Sequence, residues 1–180
     1  AGGWIVYDLL CRSPLGRCEP ILAAVMLALC AFAAYALTQL YSGRGAYIHF
    51  GAMLGTIMTA NVFFVIMPGQ REMVRARVEG RAPDPMHAAR GKQRSVHNTY
   101  FTLPVLFTMI SNHYALFTNA KWNWLVLMAI ALAGVFIRLF FTFRHRGVVK
   151  PSFWAIGIAL LAAVFVALMP RGGGAAAAAP

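Results

Sequence analysis

The side chains best suited to chemistry in this sequence are histidines that lie within long apolar runs. His49 lies near the start of the run 46–67, and His113 lies near the end of the run 96–117. If these consecutive runs are antiparallel helices, both rings lie about one turn from the same end of the pair. Two imidazoles that face each other between helices are what a bis-histidine haem requires. We therefore predict His49 and His113 as axial ligands of a haem b.

A second candidate site lies at the opposite end of the same apolar run. His97 and Asn98 lie near the start of the run 96–117, and His113 lies near its end. Along a helix His97 is about 24 Å from His113, at 1.5 Å per residue, so the two rings cannot hold one iron. Either His97 serves a different site together with Asn98, or it is an interfacial residue.

Two asparagines and a pair of glycines also stand out in the apolar runs. For Asn61 we expect a hydrogen bond between helices, because a buried amide needs a partner. Asn112, in the stretch SNHY, is a candidate substrate contact. Gly51 and Gly55 form a GxxxG pattern that permits close helix packing. Catalytic residues cannot be assigned, since the sequence contains no nucleophile–base set, paired carboxylates or phosphate loop. Redox chemistry with a cofactor remains open.

Composition predicts the elements that must position these residues. The chain has 180 residues, of which 60% are hydrophobic and 12% charged, whereas soluble domains carry about 25% charged residues. A helix needs roughly 20 apolar residues to cross the hydrocarbon core. We predict an all-α, polytopic transmembrane bundle in the lipid bilayer, with five spans at about 20–40, 46–67, 96–117, 122–143 and 151–169.

Three further segments surround these spans. Residues 1–19 are predicted to be an interfacial helix or the remnant of an earlier span. Residues 68–95 are predicted to be a basic loop that contains a short helix at 70–80. Residues 170–180, rich in Gly and Ala, are expected to be a flexible tether.

The positive charges predict the orientation of the spans. The net charge is +11, and with five spans all Lys and Arg except Arg44, Lys121 and Arg171 lie on one side of the membrane. The positive-inside rule makes that side cytoplasmic. The N-terminus is then cytoplasmic and the C-terminus periplasmic. Topology explains the basic residues, so we do not expect a nucleic-acid partner.

Four stretches carry a resemblance to a known family. They are YDLLCRSPLG, FFVIMPGQREMV, APDPMHAARGKQRSVHNTYFTLPVLFTMISNHY and KWNWLVLMAIALAGVFIRLFFTFRHRG. Together they resemble the membrane region of the bacterial membrane-bound urate oxidases, over roughly residues 4–170. The resemblance implies oxidation of urate to 5-hydroxyisourate in the bacterial inner membrane. It also implies electron transfer to a C-terminal c-type cytochrome, whose haem c is expected on a domain outside this sequence.

A second, weaker similarity concerns the stretch HFGAMLG. It is similar to a helix of membrane protoporphyrinogen oxidases in which a histidine binds haem b, and this supports His49 as a ligand. Two other functions stay open. The chain can be a non-enzymatic accessory subunit of a larger respiratory or photosynthetic complex, or a haem-binding carrier.

Overall fold

The computed structural model describes residues 2–169, and within that range every regular element is helical. The predicted tether at 170–180 lies outside the described residues. The helices are α1 (Gly2–Arg12), α2 (Glu19–Leu40), α3 (Gly43–Asn61), α4 (Met67–Val78), α5 (Pro85–Ile110), α6 (Ala115–Thr118), α7 (Asn123–His145) and α8 (Pro151–Leu168). Short 3-10 turns occupy Pro14–Arg17 and Ser111–His113.

Helix α3 lies at the centre of the bundle. It packs against α1, α2 and α5, while α7 packs against α5 and α8. A stripe at helical spacing turns one face of α3 inward, as an amphipathic pattern does. The stripe consists of Ala46, Tyr47, Phe50, Leu54, Ile57 and Asn61. The rest of the core comes from α1, α2 and α7, which contribute Tyr7, Ala34, Leu127 and Met128.

Small residues let the central helices approach closely. A Cβ atom added at Gly51 of α3 would lie 2.0 Å from Thr108 Oγ1 of α5. On the other side of α5, a Cβ atom at Gly134 of α7 would lie 3.0 Å from Leu103 Cβ. At Gly55 a Cβ atom would meet nothing within 4 Å. Of the predicted GxxxG pair, only Gly51 is therefore required for packing.

The helix that contains the second predicted span continues past Pro68. Helices α3 and α4 are joined without a break by a π-helical segment, Val62–Ile66, and the continuous helix Gly43–Val78 contains 36 residues. Pro68 is the second residue of α4 and lies directly after the π segment. The helix predicted at 70–80 is thus the end of this long helix.

Helix α5 begins earlier than the predicted span at 96–117. The carboxylate of Asp84 accepts a hydrogen bond of 2.8 Å from the backbone N–H of Met86, and Pro85 occupies the first turn. This N-cap starts the helix eleven residues before the expected position, so most of the predicted loop 68–95 is helical. The helix continues through Pro104 and ends at Ile110, before the 3-10 turn and α6.

Four helices are long and apolar enough to cross a membrane. They are Glu19–Leu40, Gly43–Val78, Asn123–His145 and Pro151–Leu168. Helix α5 is not among them. Its N-terminal half carries Arg90, Lys92 and Arg94, and the polar residues His97 and Asn98 follow. Helix α8 buries only Gly157 and Val164, so most of its apolar surface faces outward. Such surfaces are compatible with a membrane protein.

Candidate functional site

Six side chains from three elements form a buried or half-buried group at one end of the bundle. We call them the polar cluster: Tyr7, Asp8, Asn61, Arg94, His97 and Asn98. Helix α1 brings Tyr7 and Asp8 against the end of α3, and α5 supplies the last three residues. Polar groups removed from water must pair with one another, and these six do so across helices that are distant in sequence.

The polar cluster contains a buried ion pair. Arg94 Nη2 donates to Asp8 Oδ1 at 2.8 Å, and the Arg94 side chain is only 3% exposed. Arg12 Nε binds the other oxygen of the same carboxylate at 2.6 Å. The Arg94 guanidinium also lies over the Tyr7 ring, 4.7 Å from its centroid. Two guanidinium nitrogens of Arg94, Nε and Nη1, are buried without a hydrogen-bond partner among the described residues.

A chain of hydrogen bonds runs from Asn61 to the surface. Asn61 Nδ2 donates to the Tyr7 hydroxyl at 3.3 Å, and that hydroxyl lies 2.7 Å from His97 Nδ1. His97 Nε2 lies 3.3 Å from Glu19 Oε2. The consistent tautomer has Tyr7 donating to Nδ1 and Nε2–H donating to Glu19. The Glu19 side chain is 63% exposed, so this chain connects the buried cluster to the surface.

The predicted pair His97 and Asn98 is thus part of one network. Asn61 Nδ2 donates to Asn98 Oδ1 at 2.9 Å, and Asn98 Nδ2 donates to the carbonyl of Met58 at 3.0 Å. These bonds join α3 to α5, which confirms the interhelical hydrogen bond that we predicted for Asn61. Both ring nitrogens of His97 are engaged, so a ligand at His97 would have to displace Tyr7 or Glu19.

Members of the polar cluster line two cavities. An apolar cavity of about 320 Å³ lies among α2, α3, α5 and α7, with Tyr7, His97 and Pro104 in its wall. A smaller cavity of about 160 Å³ lies on the Asp8 side. We call it the cationic cavity. Its lining is Asp8, Cys11, Arg12, Phe64, Val65, Pro68, His87, Arg90, Gln93 and Arg94.

Burial controls the protonation of two α1 side chains beside these cavities. It raises the pKa of the Tyr7 hydroxyl well above its ordinary value, which keeps the phenol protonated as a donor to His97. Burial also raises the pKa of the Cys11 thiol, more than the nearby Arg94 lowers it. Cys11 is therefore held as a neutral thiol, which is a weak nucleophile and a weak metal ligand.

The structure places the predicted haem ligands on the outside of the bundle. His49 is exposed, its Nδ1 lies 2.8 Å from the carbonyl oxygen of Gly45, and its ring stacks on Tyr41 with centroids 4.3 Å apart. His113 is exposed in the 3-10 turn, next to the half-buried Asn112. An enclosed haem pocket would require both rings to point inward. A haem at these two residues stays a prediction.

Asp8 and Arg94 are the site residues that the sequence did not indicate. Arg94 was assigned only to the positive charges that set orientation. One signal was present: Asp8 is an acid inside the otherwise apolar stretch WIVYDLL, in a chain with only five acids. An isolated charge in apolar surroundings requires a partner of opposite sign.

Known proteins give one further finding. Residues 1–169 match the family model described as "Urate oxidase N-terminal". No curated protein and no solved structure matches the chain. Since the match covers nearly the whole sequence, including every helix that supplies the polar cluster, the chain belongs to the urate oxidase N-terminal family.

Proposed function

We propose that this chain is the membrane region of an oxidoreductase that oxidises urate to 5-hydroxyisourate. The observation that carries the proposal is the family match over residues 1–169. Four long apolar helices support the membrane location. The stretches that resemble membrane-bound urate oxidases include α5, which supplies Arg94, His97 and Asn98 to the polar cluster.

The proposed reaction adds the oxygen of one water molecule to urate and removes two electrons and two protons. The electrons pass to a c-type cytochrome, which takes one electron per haem, so two reduced haems form for each urate. The hydrogen-bond chain from Tyr7 through His97 to the exposed Glu19 offers a route by which protons leave a buried site.

We extend the proposal to location and orientation. Helix α5 packs against both α3 and α7 and has 26 residues, or about 39 Å at 1.5 Å per residue, which supports its role as a fifth crossing. The distribution of positive charges supports a cytoplasmic N-terminus and a periplasmic C-terminus in a bacterial inner membrane. A cytochrome on the periplasmic side would then follow the last span.

A haem b at His49 and His113 stays part of the prediction, and the proposed reaction does not depend on it. His49 engages Gly45 through Nδ1, which leaves Nε2 as the nitrogen for an iron. A reduced-minus-oxidised spectrum of the purified protein tests this ligand set separately. A b-type absorption band that is lost in both His49→Ala and His113→Ala would support it.

The experiment for the proposed function uses the full chain in lipid nanodiscs, with urate and an added oxidised c-type cytochrome under anaerobic conditions. We expect urate to be consumed and two cytochrome haems to be reduced for each urate. The matched control is the same preparation with xanthine in place of urate. Urate consumption that requires oxygen would contradict the cytochrome-linked mechanism. If the folded protein consumes no urate either with or without oxygen, the result favours the alternative that the chain is an accessory subunit.

A further inference from the structure

The cationic cavity has a large excess of positive over negative groups. Its lining includes Arg12, Arg90 and Arg94, together with His87, whereas Asp8 is the one carboxylate among the ten lining residues. Asp8 already pairs with two of the three arginines. One carboxylate cannot neutralise three guanidinium groups, so the cavity keeps a positive potential that attracts an anion.

Arg94 adds a second, independent indication of a missing partner. The side chain is almost fully buried, and only its Nη2 atom is hydrogen-bonded to Asp8. Nε and Nη1 are buried without an acceptor among the described residues. Leaving a buried charged donor unpaired costs free energy. Arg94 also lines the cationic cavity, so an acceptor bound there would lie beside this incompletely paired guanidinium.

The shape of the cavity restricts the anion. Its volume of about 160 Å³ is below the roughly 300–1,000 Å³ of sites for drug-sized molecules, so one small ring system fits better than a nucleotide. Phe64 lines the cavity from the π-helical segment. An aromatic ring beside cationic donors suits a flat, conjugated anion, which can stack on the ring face. Single π-helical turns often occur at functional sites.

We infer that the cationic cavity binds urate, a flat purine anion with several carbonyl oxygens. This inference rests on the proposed function and assigns its substrate site. Arg94 and Arg90 donate hydrogen bonds to the anion, and Phe64 stacks on its ring. The mouth of the cavity is accessible from outside the bundle, since His87 and Arg90 are exposed. Asn112 does not take part, because it lies beyond the opposite end of α5, roughly 27 Å from Arg94 at 1.5 Å per residue.

The test measures equilibrium binding of urate to the full chain in detergent by titration calorimetry, without a cytochrome and therefore without turnover. Arg90→Gln removes one charged donor at the exposed mouth and is expected to weaken binding about tenfold. Arg90→Lys keeps the charge but not the planar guanidinium group. Its affinity for urate should lie between those of the wild type and Arg90→Gln. Phe64→Leu should weaken binding about fivefold through lost stacking. The control is Arg77→Gln, an exposed arginine of α4 outside the cavity, with less than about a twofold effect.

The outcomes separate this inference from the proposed function. Weakening by Arg90→Gln and Phe64→Leu with no change in Arg77→Gln supports the site. If all four variants bind urate as tightly as the wild type does, the inferred site is overturned, even if the protein oxidises urate. Competition by inorganic phosphate as strong as by urate also overturns it, because the cavity would then recognise charge alone. Tight binding of urate without any urate oxidation would support the inferred binding site and contradict the proposed enzymatic function.

Discussion

Two arginine–carboxylate clusters of this protein share their chemistry and differ in their surroundings. At Asp8 the contacts to Arg12 and Arg94 are 2.6 and 2.8 Å. In the second cluster Arg81 contacts Glu72 and Glu79 at 2.6 Å each. The Arg94 side chain is 3% exposed, whereas that of Arg81 is 39% exposed. Equal distances therefore correspond to unequal energies, because water screens the Arg81 pairs far more than the buried Arg94–Asp8 pair.

The largest expected effect tests the buried cluster. Asp8→Ala leaves the Arg94 charge buried without its carboxylate, which should cost about 3–5 kcal/mol of folding free energy. The measurement is the unfolding midpoint of the purified protein in detergent. If Asp8→Ala changes the midpoint no more than a surface substitution, the contrast between the two clusters is wrong.

A double substitution sharpens the same point. Asp8→Leu combined with Arg94→Met removes both buried charges and keeps much of the volume. Most of the stability lost in Asp8→Ala should return, since apolar pairs often replace buried ion pairs without loss. A double variant as unstable as Asp8→Ala would mean that side-chain shape, and not charge, explains the loss.

A purely steric change measures packing without charge. Gly51→Ala brings a methyl group against Thr108, where the Cβ–Oγ1 distance would be 2.0 Å, and overpacking of this kind costs about 1–3 kcal/mol. Gly55→Ala, with open space around its Cβ position, is the matched control and should be neutral or slightly stabilising. Equal unfolding midpoints for the two variants would contradict the close contact between α3 and α5.

The smallest effect is expected at the exposed cluster. A hydrogen bond from Arg81 lowers the pKa of the Glu79 carboxyl below its ordinary value. A lowered folded-state pKa stabilises the protein above the unfolded pKa, and that contribution is lost as pH falls through the folded pKa. The unfolding midpoints of wild type and Glu79→Gln should therefore differ slightly at neutral pH and converge in acid. Added salt should reduce the difference.

The sequence predicts long apolar helices well because their signal is local. The prolines at 20 and 151, where two spans were predicted to begin, lie in the first turns of α2 and α8. The start of α5 also has a local sequence signal, since Asp84 followed by Pro85 is typical of a helix N-cap. The charged residues after it are also typical of a loop, which is why the predicted loop at 68–95 extends too far. The π-helical segment has no such signal, so the sequence does not show that the helix continues past Pro68.

The residues of the candidate site also differ in whether a local sequence signal identifies them. His97, Asn98 and Asn61 were identifiable because polar side chains in apolar runs stand out one at a time. The Asp8–Arg94 pair joins residues 86 positions apart, and only the packing of α1 against the α3 and α5 region brings them together. The direction of His49 is equally non-local. It follows from which face of α3 the neighbouring helices cover.

The long helix Gly43–Val78 has more residues than a bilayer crossing requires. Its 36 residues correspond to about 54 Å at 1.5 Å per residue, whereas the hydrocarbon core is about 30 Å thick. A helix of this length that crosses a bilayer extends beyond the hydrocarbon core, and its charged end, which carries Arg75 and Arg77, then lies outside the lipid tails. The length of the helix, rather than a loop, would set how far those charges stand from the membrane.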